Sequence, residues 1–295
     1  MHAIRPATRA DAGGWARVVL SASPLMVVDE RSEAHEIRTD PVDARRVVAT
    51  VDDEVVGVAR FCTYDDEDHA TFQLLVDPAH RRRGIGTGLL AELEGHLAAS
   101  GKPKVTTVVE DDDASRSACA RWGFTITRSL RMAVVDPRAV GHPGPTPDHV
   151  TVVPVADVGP RQVWETHQQV ARDDPSGLTL PVPYDEWLAA EWSDPRSRPD
   201  LGRAVLVDDE LAAYSLLGTA GQRAWSAMTG TLPAHRGRGY ALLAKHHVLR
   251  AAAAAGITSA TTGNDAANAP MLAVNARLGY QPVASPAVAE RTGAR

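Results

Sequence analysis

Residues 78–86 read Pro-Ala-His-Arg-Arg-Arg-Gly-Ile-Gly, and residues 233–241 read Pro-Ala-His-Arg-Gly-Arg-Gly-Tyr-Ala. The first begins at 78 and the second at 233, an offset of 155. Each leads into a helical pattern that stops at a glycine, Gly101 or Gly256, at the same offset of 155. Upstream, Val51-Asp52-Asp53-Glu54 recurs as Val207-Asp208-Asp209-Glu210; downstream, Arg121-Trp122-Gly123-Phe124 recurs as Arg277-Leu278-Gly279-Tyr280, both at 156. Four landmarks holding register within one residue mean that one domain occurs twice in the 295-residue chain.

Between the landmarks the halves read alike. A short β run (Ile4-Arg5, Thr151–Val153) leads into a helix, and Thr8 and Asp11 have capping-box spacing. A variable, partly helical region follows. Strand pairs are predicted over Arg46–Val51 with Val55–Tyr64, and Arg203–Val207 with Leu211–Leu217, turning at Asp-Asp-Glu. Next come a fourth strand (Ala70–Val76, Trp225–Thr231), the arginine-glycine loop and a long helix. A fifth strand (Val105–Glu110, Ser259–Gly263), a last helix and a final strand complete each copy. This order implies a mixed sheet with helices on both faces. Prolines and glycines between Pro137 and Pro147 mark a linker, so the copies are expected at 1–136 and 150–295, joined by 137–149.

The helix after the first loop carries Leu89, Leu90, Leu93 and Leu97 on one face, so Gly84, Ile85 and Gly86 stand at its N-terminus. Free backbone N–H groups and the positive end of the helix dipole gather there. Arg81, Arg82 and Arg83, and Arg236 and Arg238 in the repeat, are unfavourable at such an end unless an anion is present. Glycines without a Cβ leave room for a phosphate. Neither loop supplies a P-loop lysine, and the spacing of Gly84, Gly86 and Gly88 does not fit a dinucleotide fingerprint.

At these residues the chain resembles the GNAT superfamily of N-acetyltransferases. The superfamily's acetyl-CoA signature, Arg/Gln-x-x-Gly-x-Gly/Ala, stands here as Arg81-Arg82-Arg83-Gly84-Ile85-Gly86 and as Arg236-Gly237-Arg238-Gly239-Tyr240-Ala241. The tandem layout is similar to that of two-copy members, mycothiol synthase among them, without carrying that substrate with it. The resemblance implies an α/β fold of two tandem domains, each a mixed, splayed central sheet with helices on both faces. It implies acetyl-CoA as donor and CoA as product. Pantetheine would pair with Leu74, Leu75 and Val76, or with Thr229, Gly230 and Thr231. The pyrophosphate would lie on Arg81, Arg82, Arg83, Gly84, Ile85, Gly86 and Thr87, or on Arg236, Gly237, Arg238, Gly239, Tyr240 and Ala241. A small-molecule primary amine would attack the thioester directly in a ternary complex, so no enzyme nucleophile is required.

Members of the superfamily usually place an Asn after strand five and a Tyr seven residues later, which protonates the leaving thiolate. Here those positions are Asp112 and Cys119, then Asn268 and Asn275, so the Tyr is absent from both copies. Asn268 is left to hold the pantetheine arm and Asn275 to donate a hydrogen bond to the thiolate. Strand four carries Gln73, or Ser226 and Met228, instead of an acid. Base candidates are then Asp29 and Glu30, or Asp173 and Asp174, or a water chain. The second copy keeps Asn264, Asn268 and Asn275 where the first has Glu110-Asp111-Asp112-Asp113, so the second is expected to perform the transfer. The first would be structural or a second cofactor site. Two other readings stay open: a non-catalytic acyl-CoA-binding regulator, and a protein or peptide N-acetyltransferase.

A formal charge of −6 argues against a nucleic-acid binder. Acid gathers at Asp29-Glu30, Asp65–Asp68 and Glu110–Asp113, as solvated loops or as walls that attract a cationic amine. Cys62 and Cys119 are the only cysteines and lack metal-ligand spacing, which fits a reducing cytoplasm; they read as packing residues. The first twenty residues carry Arg5, Arg9, Asp11 and Arg17, unlike a signal peptide, and no window is apolar enough for a membrane span. Neither membrane nor nucleic-acid partners are expected, no metal is called for, and the oligomeric state is open.

Overall fold

Asp52, Asp53, Asp208 and Asp209 all have positive φ, at 49°, 64°, 50° and 65°. Two consecutive left-handed residues form the two-residue turn whose twist matches a β-hairpin, and aspartate tolerates that conformation. The repeated Asp-Asp pair thus fixes the central hairpin of each copy. The computed structural model describes residues 2–41, 43–63, 69–173, 179 and 181–292.

In chain order the first copy runs β1 (Ala3–Pro6), α1 (Ala12–Ala22), α2 (Glu30–Thr39), β2 (Arg45–Val51), β3 (Glu54–Thr63), β4 (His69–Val76), α3 (Ile85–Ala99), β5 (Lys104–Val109), α4 (Asp113–Arg121) and β6 (Thr125–Val135). The second runs β7 (Val150–Pro154), α5 (Val155–Val158), α6 (Pro160–Ala171), α7 (Tyr184–Trp187), β8 (Arg203–Val207), β9 (Glu210–Ala220), β10 (Arg223–Thr231), α8 (Tyr240–Ala254), β11 (Ser259–Asp265), α9 (Ala269–Arg277) and β12 (Gln281–Ala284). One more strand, β13 (Ala287–Thr292), ends the described chain. Asp11 accepts from the Thr8 N–H at 2.7 Å and hydroxyl at 2.9 Å, the capping arrangement its spacing predicts, and also takes the two ends of the Arg5 guanidinium.

The chain folds as two compact units, Met1–Leu130 with Ser285–Arg295, and Arg131–Ala284. This differs from a division at 137–149. The last strand was expected to complete the second copy, but β13 belongs to unit 1. It is hydrogen-bonded antiparallel to β5 from Ala287↔Val109 to Thr292↔Lys104, and on its other edge to Ser129–Thr125 of β6. Ala287, Val288 and Ala289 are all but fully buried there. A strand with both edges paired and both faces covered is held by its complete ladder, whichever copy precedes it in sequence. In unit 2 the remaining half of β6 pairs with β12.

In unit 1, β1 through β4 are antiparallel neighbours and β4 runs parallel to β5. Trp15, Val18 and Val19 of α1 pack on one face with Val48, Val55 and Val58. Ile85, Leu89 and Leu93 of α3 pack on the other with Val47, Ala49, Val56 and Val109. In unit 2, β7 to β10 are antiparallel and β10 runs parallel to β11. Val163 and Val170 of α6 cover one face with Tyr214, and Ala244, Val248 and Leu249 of α8 lie in the other core clusters. Each unit is therefore a mixed sheet between helical layers.

Candidate functional site

The loop before α3 is shaped by its backbone. Asp77 accepts from the Ala79 N–H at 2.9 Å and opens a tight turn over Pro78–His80. Arg82 and Gly84 then take left-handed conformations, at φ 65° and 82°; in the second copy Gly237 and Gly239 do the same, at 76° and 83°. Alternating conformations of this kind aim successive N–H groups into one concavity. Gly84 caps α3 without a side chain, so the first amides of that helix remain available to a ligand. Among the described residues, a Cβ on Gly84 would meet only the His2 ring, at 4.0 Å. An anion can reach the amides there. A left-handed conformation costs a residue with a Cβ about 1–2 kcal/mol. Arg82 sustains that strain at the place where the second copy has a glycine.

Beyond the loop the sheet opens. The parallel ladder between β4 and β5 runs from His69↔Lys104 to Phe72↔Thr107 and ends there, while β4 continues to Val76 and β5 to Val109. A cavity of about 390 Å³ fills the wedge. Residues from both sheet faces wall it. Leu74, Val76 and Val109 belong to the α3 side, whereas Leu75 packs with the α1 cluster. Gly86 forms part of the floor: a Cβ there would lie 3.3 Å from the Trp122 ring and 3.6 Å from Leu74. Among the described residues, Gln73 to Val76 pair with β3 on one edge only, so backbone groups on the other edge face the slot. Amide groups at the mouth and an open strand edge along an apolar slot suit a phosphorylated ligand with an extended amide-bearing arm.

Leu74, Leu75, Val76, Arg81, Arg82, Gly84, Ile85, Gly86 and Thr87, named from the motif, all line this cavity. Arg83 is exposed on the same loop but is not among the lining residues. Arg81 works as a latch. Its Nε donates to the Val76 carbonyl at 3.2 Å, and its guanidinium lies 3.5 Å from Asp112. Burial pushes the Asp112 carboxyl up, but hydrogen bonds from Ser115 and the Arg81 charge outweigh it and hold the group below the usual range.

Two further groups face the slot. Cys119 donates weakly to the Phe124 carbonyl at 3.8 Å, and burial pushes its thiol up. A thiol held protonated is a poor nucleophile. Glu110 follows β5 and is half-buried. Burial raises its carboxyl above the usual range, although the Ser23 hydroxyl donates to it and Arg81 is near.

Two profiles of one family match this chain. Residues 16–124 match the Acetyltransferase (GNAT) family and residues 161–268 the Acetyltransferase (GNAT) domain, so between them they cover most of the sequence. The chain belongs to the GNAT acetyltransferases. It is similar to the mycothiol acetyltransferase of Clavibacter michiganensis subsp. michiganensis, at 29% identity over 252 residues, covering 83% of this chain and 79% of that one. Two solved structures share the fold over the whole length. One is a tandem GNAT protein from the clavulanic acid biosynthesis pathway, solved without AcCoA (TM-score 0.74, 22% identity, 100% of both chains). The other is a GCN5-related N-acetyltransferase from Sphaerobacter thermophilus (TM-score 0.73, 17% identity, 99% of this chain and 95% of that one).

The second GNAT unit uses its candidate residues differently. Its loop has the same backbone, but Arg236 is tied to the Thr231 carbonyl at 3.2 Å and to Asp173 at 2.5 Å. Asp173, expected as a base, is an ion-pair partner of the loop; Asp174 lies outside the described residues. Thr229 is hydrogen-bonded to Ser215 across the sheet at 2.8 Å. Gly230 was expected to let a ligand approach. It is buried, and a Cβ there would lie 2.6 Å from Val170 and 3.2 Å from Tyr214. Its missing Cβ accommodates α6. Tyr240 is buried in the core at the start of α8, followed by Ala241; Arg238 remains exposed. Asn268 caps α9, accepting from the Met271 N–H at 3.2 Å, as Asp112 caps α4.

Asn275 was expected to donate to a thiolate. It accepts from the buried Lys245 ammonium at 2.5 Å and donates to Asn264 at 2.6 Å. Lys245 also reaches Thr262 at 3.4 Å and sits 4.9 Å from the Tyr280 ring centre. Thr262, Asn275 and Tyr280 correspond by the repeat to Thr107, Cys119 and Phe124, which line the unit 1 slot. A buried polar knot thus occupies the place of an apolar wall. Asp265, the counterpart of Glu110, is buried and accepts from the Ala267 N–H at 2.7 Å.

Glu110 had a signal in the sequence. Glu110 is the acid that directly follows the core of the predicted fifth strand, and the carboxyl ends of strands are where open α/β sheets bind ligands. Its partner Ser23, 87 residues away, had none.

Proposed function

We propose that unit 1 transfers an acetyl group from acetyl-CoA to the primary amine of a small molecule, by direct attack in a ternary complex. One observation carries the reading: the slot between β4 and β5, with an amide-lined, arginine-flanked loop at its mouth. The pyrophosphate would lie on the amides around Gly84 with Arg82 beside it, and the pantetheine arm along the open edge of Gln73–Val76. When bound, the donor supplies an activated thioester. The chain holds the arm, excludes water from it with Leu74, Val76 and Phe124, and presents it to an acceptor from the other sheet face.

Sequence favours the second copy as the catalytic one. The geometry supports the first instead, because Lys245 and Asn275 engage each other where unit 1 keeps a cavity wall. The second loop, with the same left-handed backbone, is proposed as a second CoA site of structural use. A relative named mycothiol acetyltransferase supports a small-molecule acceptor over a protein. Release of free thiol from acetyl-CoA, followed with and without glucosamine, ethanolamine, spermidine, L-lysine or a short peptide, tests the reading. Thiol release that depends on one of the small amines is expected. Tight CoA binding with no amine-dependent release would favour a sensor, and release with the peptide alone a peptide acetyltransferase.

A further inference from the structure

The walls of the unit 1 slot differ in charge on the two sides of the sheet. The loop amides, Arg81 and Arg82 stand at the end where α3 begins. Along β5, Val105 and Val109 point into the core with α3, so Thr106, Val108 and Glu110 point to the α1 side. That side reaches solvent at Val108, which is 45% exposed. Glu110 accepts a hydrogen bond from Ser23, just past the C-terminal end of α1, and lines the same slot as the open β4 edge. The charged groups acting on its carboxylate are Arg81 from the loop and Asp111 and Asp112 from its own segment.

We propose that Glu110 takes the proton from the acceptor amine, that Ser23 positions it, and that the acceptor enters from the α1 side as a compact, cationic primary amine. The proposal rests on reading the slot as the donor site. An ammonium drawn to the carboxylate has no lone pair to give. Its first proton moves to Glu110 and on to solvent, which frees the pair. The N–C bond then forms at the thioester carbonyl. The C–S bond breaks with its electrons staying on sulfur, and the second nitrogen proton goes to that sulfur. The products are an amide, a free thiol and one proton, so the step balances without a further reactant.

The test compares Glu110→Gln, Glu110→Asp and Ser23→Ala with the wild type, using the small amine that supports thiol release and, beside it, aminoacetonitrile, whose amine is neutral at neutral pH. Glu110→Gln keeps an acceptor for Ser23 and is expected to bind CoA unchanged while kcat/KM for the charged amine falls about 100-fold, as for loss of a general base. With aminoacetonitrile the defect should nearly vanish, because that amine needs no base. Glu110→Asp should fall between. Ser23→Ala removes a bond that favours the carboxylate, so the acidic limb of kcat/KM against pH should move to higher pH with the plateau kept. Wild-type kcat/KM for the charged amine in Glu110→Gln, with CoA still bound, overturns the proposal and leaves the slot reading standing. Undiminished CoA binding in Gly84→Trp overturns the slot reading itself, and this proposal with it; that failure is seen before any amine is added.

Discussion

Lys245 shows how far one residue can redirect a copied domain. The first copy has Leu90 at the same place on its helix, packed with apolar neighbours. In unit 2 the ammonium is buried, and burial lowers its pKa from 10.5 to about 7. Between those values the unfolded chain holds a proton that the folded chain does not. Stability therefore rises as pH climbs from about 7 to 10.5 and is lost again on the way down. Lys245→Met should flatten that rise, measured as the urea midpoint of unfolding across the window; an unchanged slope would assign it to other groups. Lys245 itself carries no motif, and its contacts to Thr262 and Asn275 join residues 17 and 30 positions apart. That is why the sequence points to Asn275 as a thiolate donor while the fold commits it to a lysine. The arginine-glycine loop was legible because its whole logic is local: left-handed glycines, arginines and a helix N-terminus lie within a few residues.

The loop, α3 and the turn after α4 form one packing unit, and the two copies solve it with different pairs. Gly86 faces Trp122 in the first; Ala241 and Leu278 hold the corresponding positions in the second. A Cβ at position 86 would sit 3.3 Å from the indole, so either the ring or the loop must shift. Gly86→Ala is expected to weaken CoA binding several-fold by calorimetry, and Trp122→Leu added to it to recover most of the loss. No recovery in the double variant would show that the ring is not what resists the methyl. The splay between β4 and β5 was an expectation of the superfamily resemblance, and the ladder ending at Phe72↔Thr107 is its physical form.

Across the whole chain, the repeat revealed two copies of one fold but not which sheet the last strand would join. Ladder partners are set by edges that open only in three dimensions. The unbroken apolar run Ala287, Val288 and Ala289 fits any buried strand. With β13 paired to both β5 and β6, truncation before Ser285 should unfold unit 1 and abolish CoA binding there, since losing a strand that is paired on both edges and buried over Ala287–Ala289 is comparable with a domain's whole stability of about 5–15 kcal/mol. An unchanged number of CoA sites per chain after truncation would refute that dependence. The copies also share a loop while differing in what lies behind it, so the central claim is that transfer runs at the unit 1 slot. The most direct measurement is amine-dependent thiol release by Gly84→Trp and Gly239→Trp, two glycines with nearly equal φ of 82° and 83° and hence equal backbone strain. Loss of turnover in Gly84→Trp with turnover kept in Gly239→Trp is the predicted result; loss only in Gly239→Trp would contradict it.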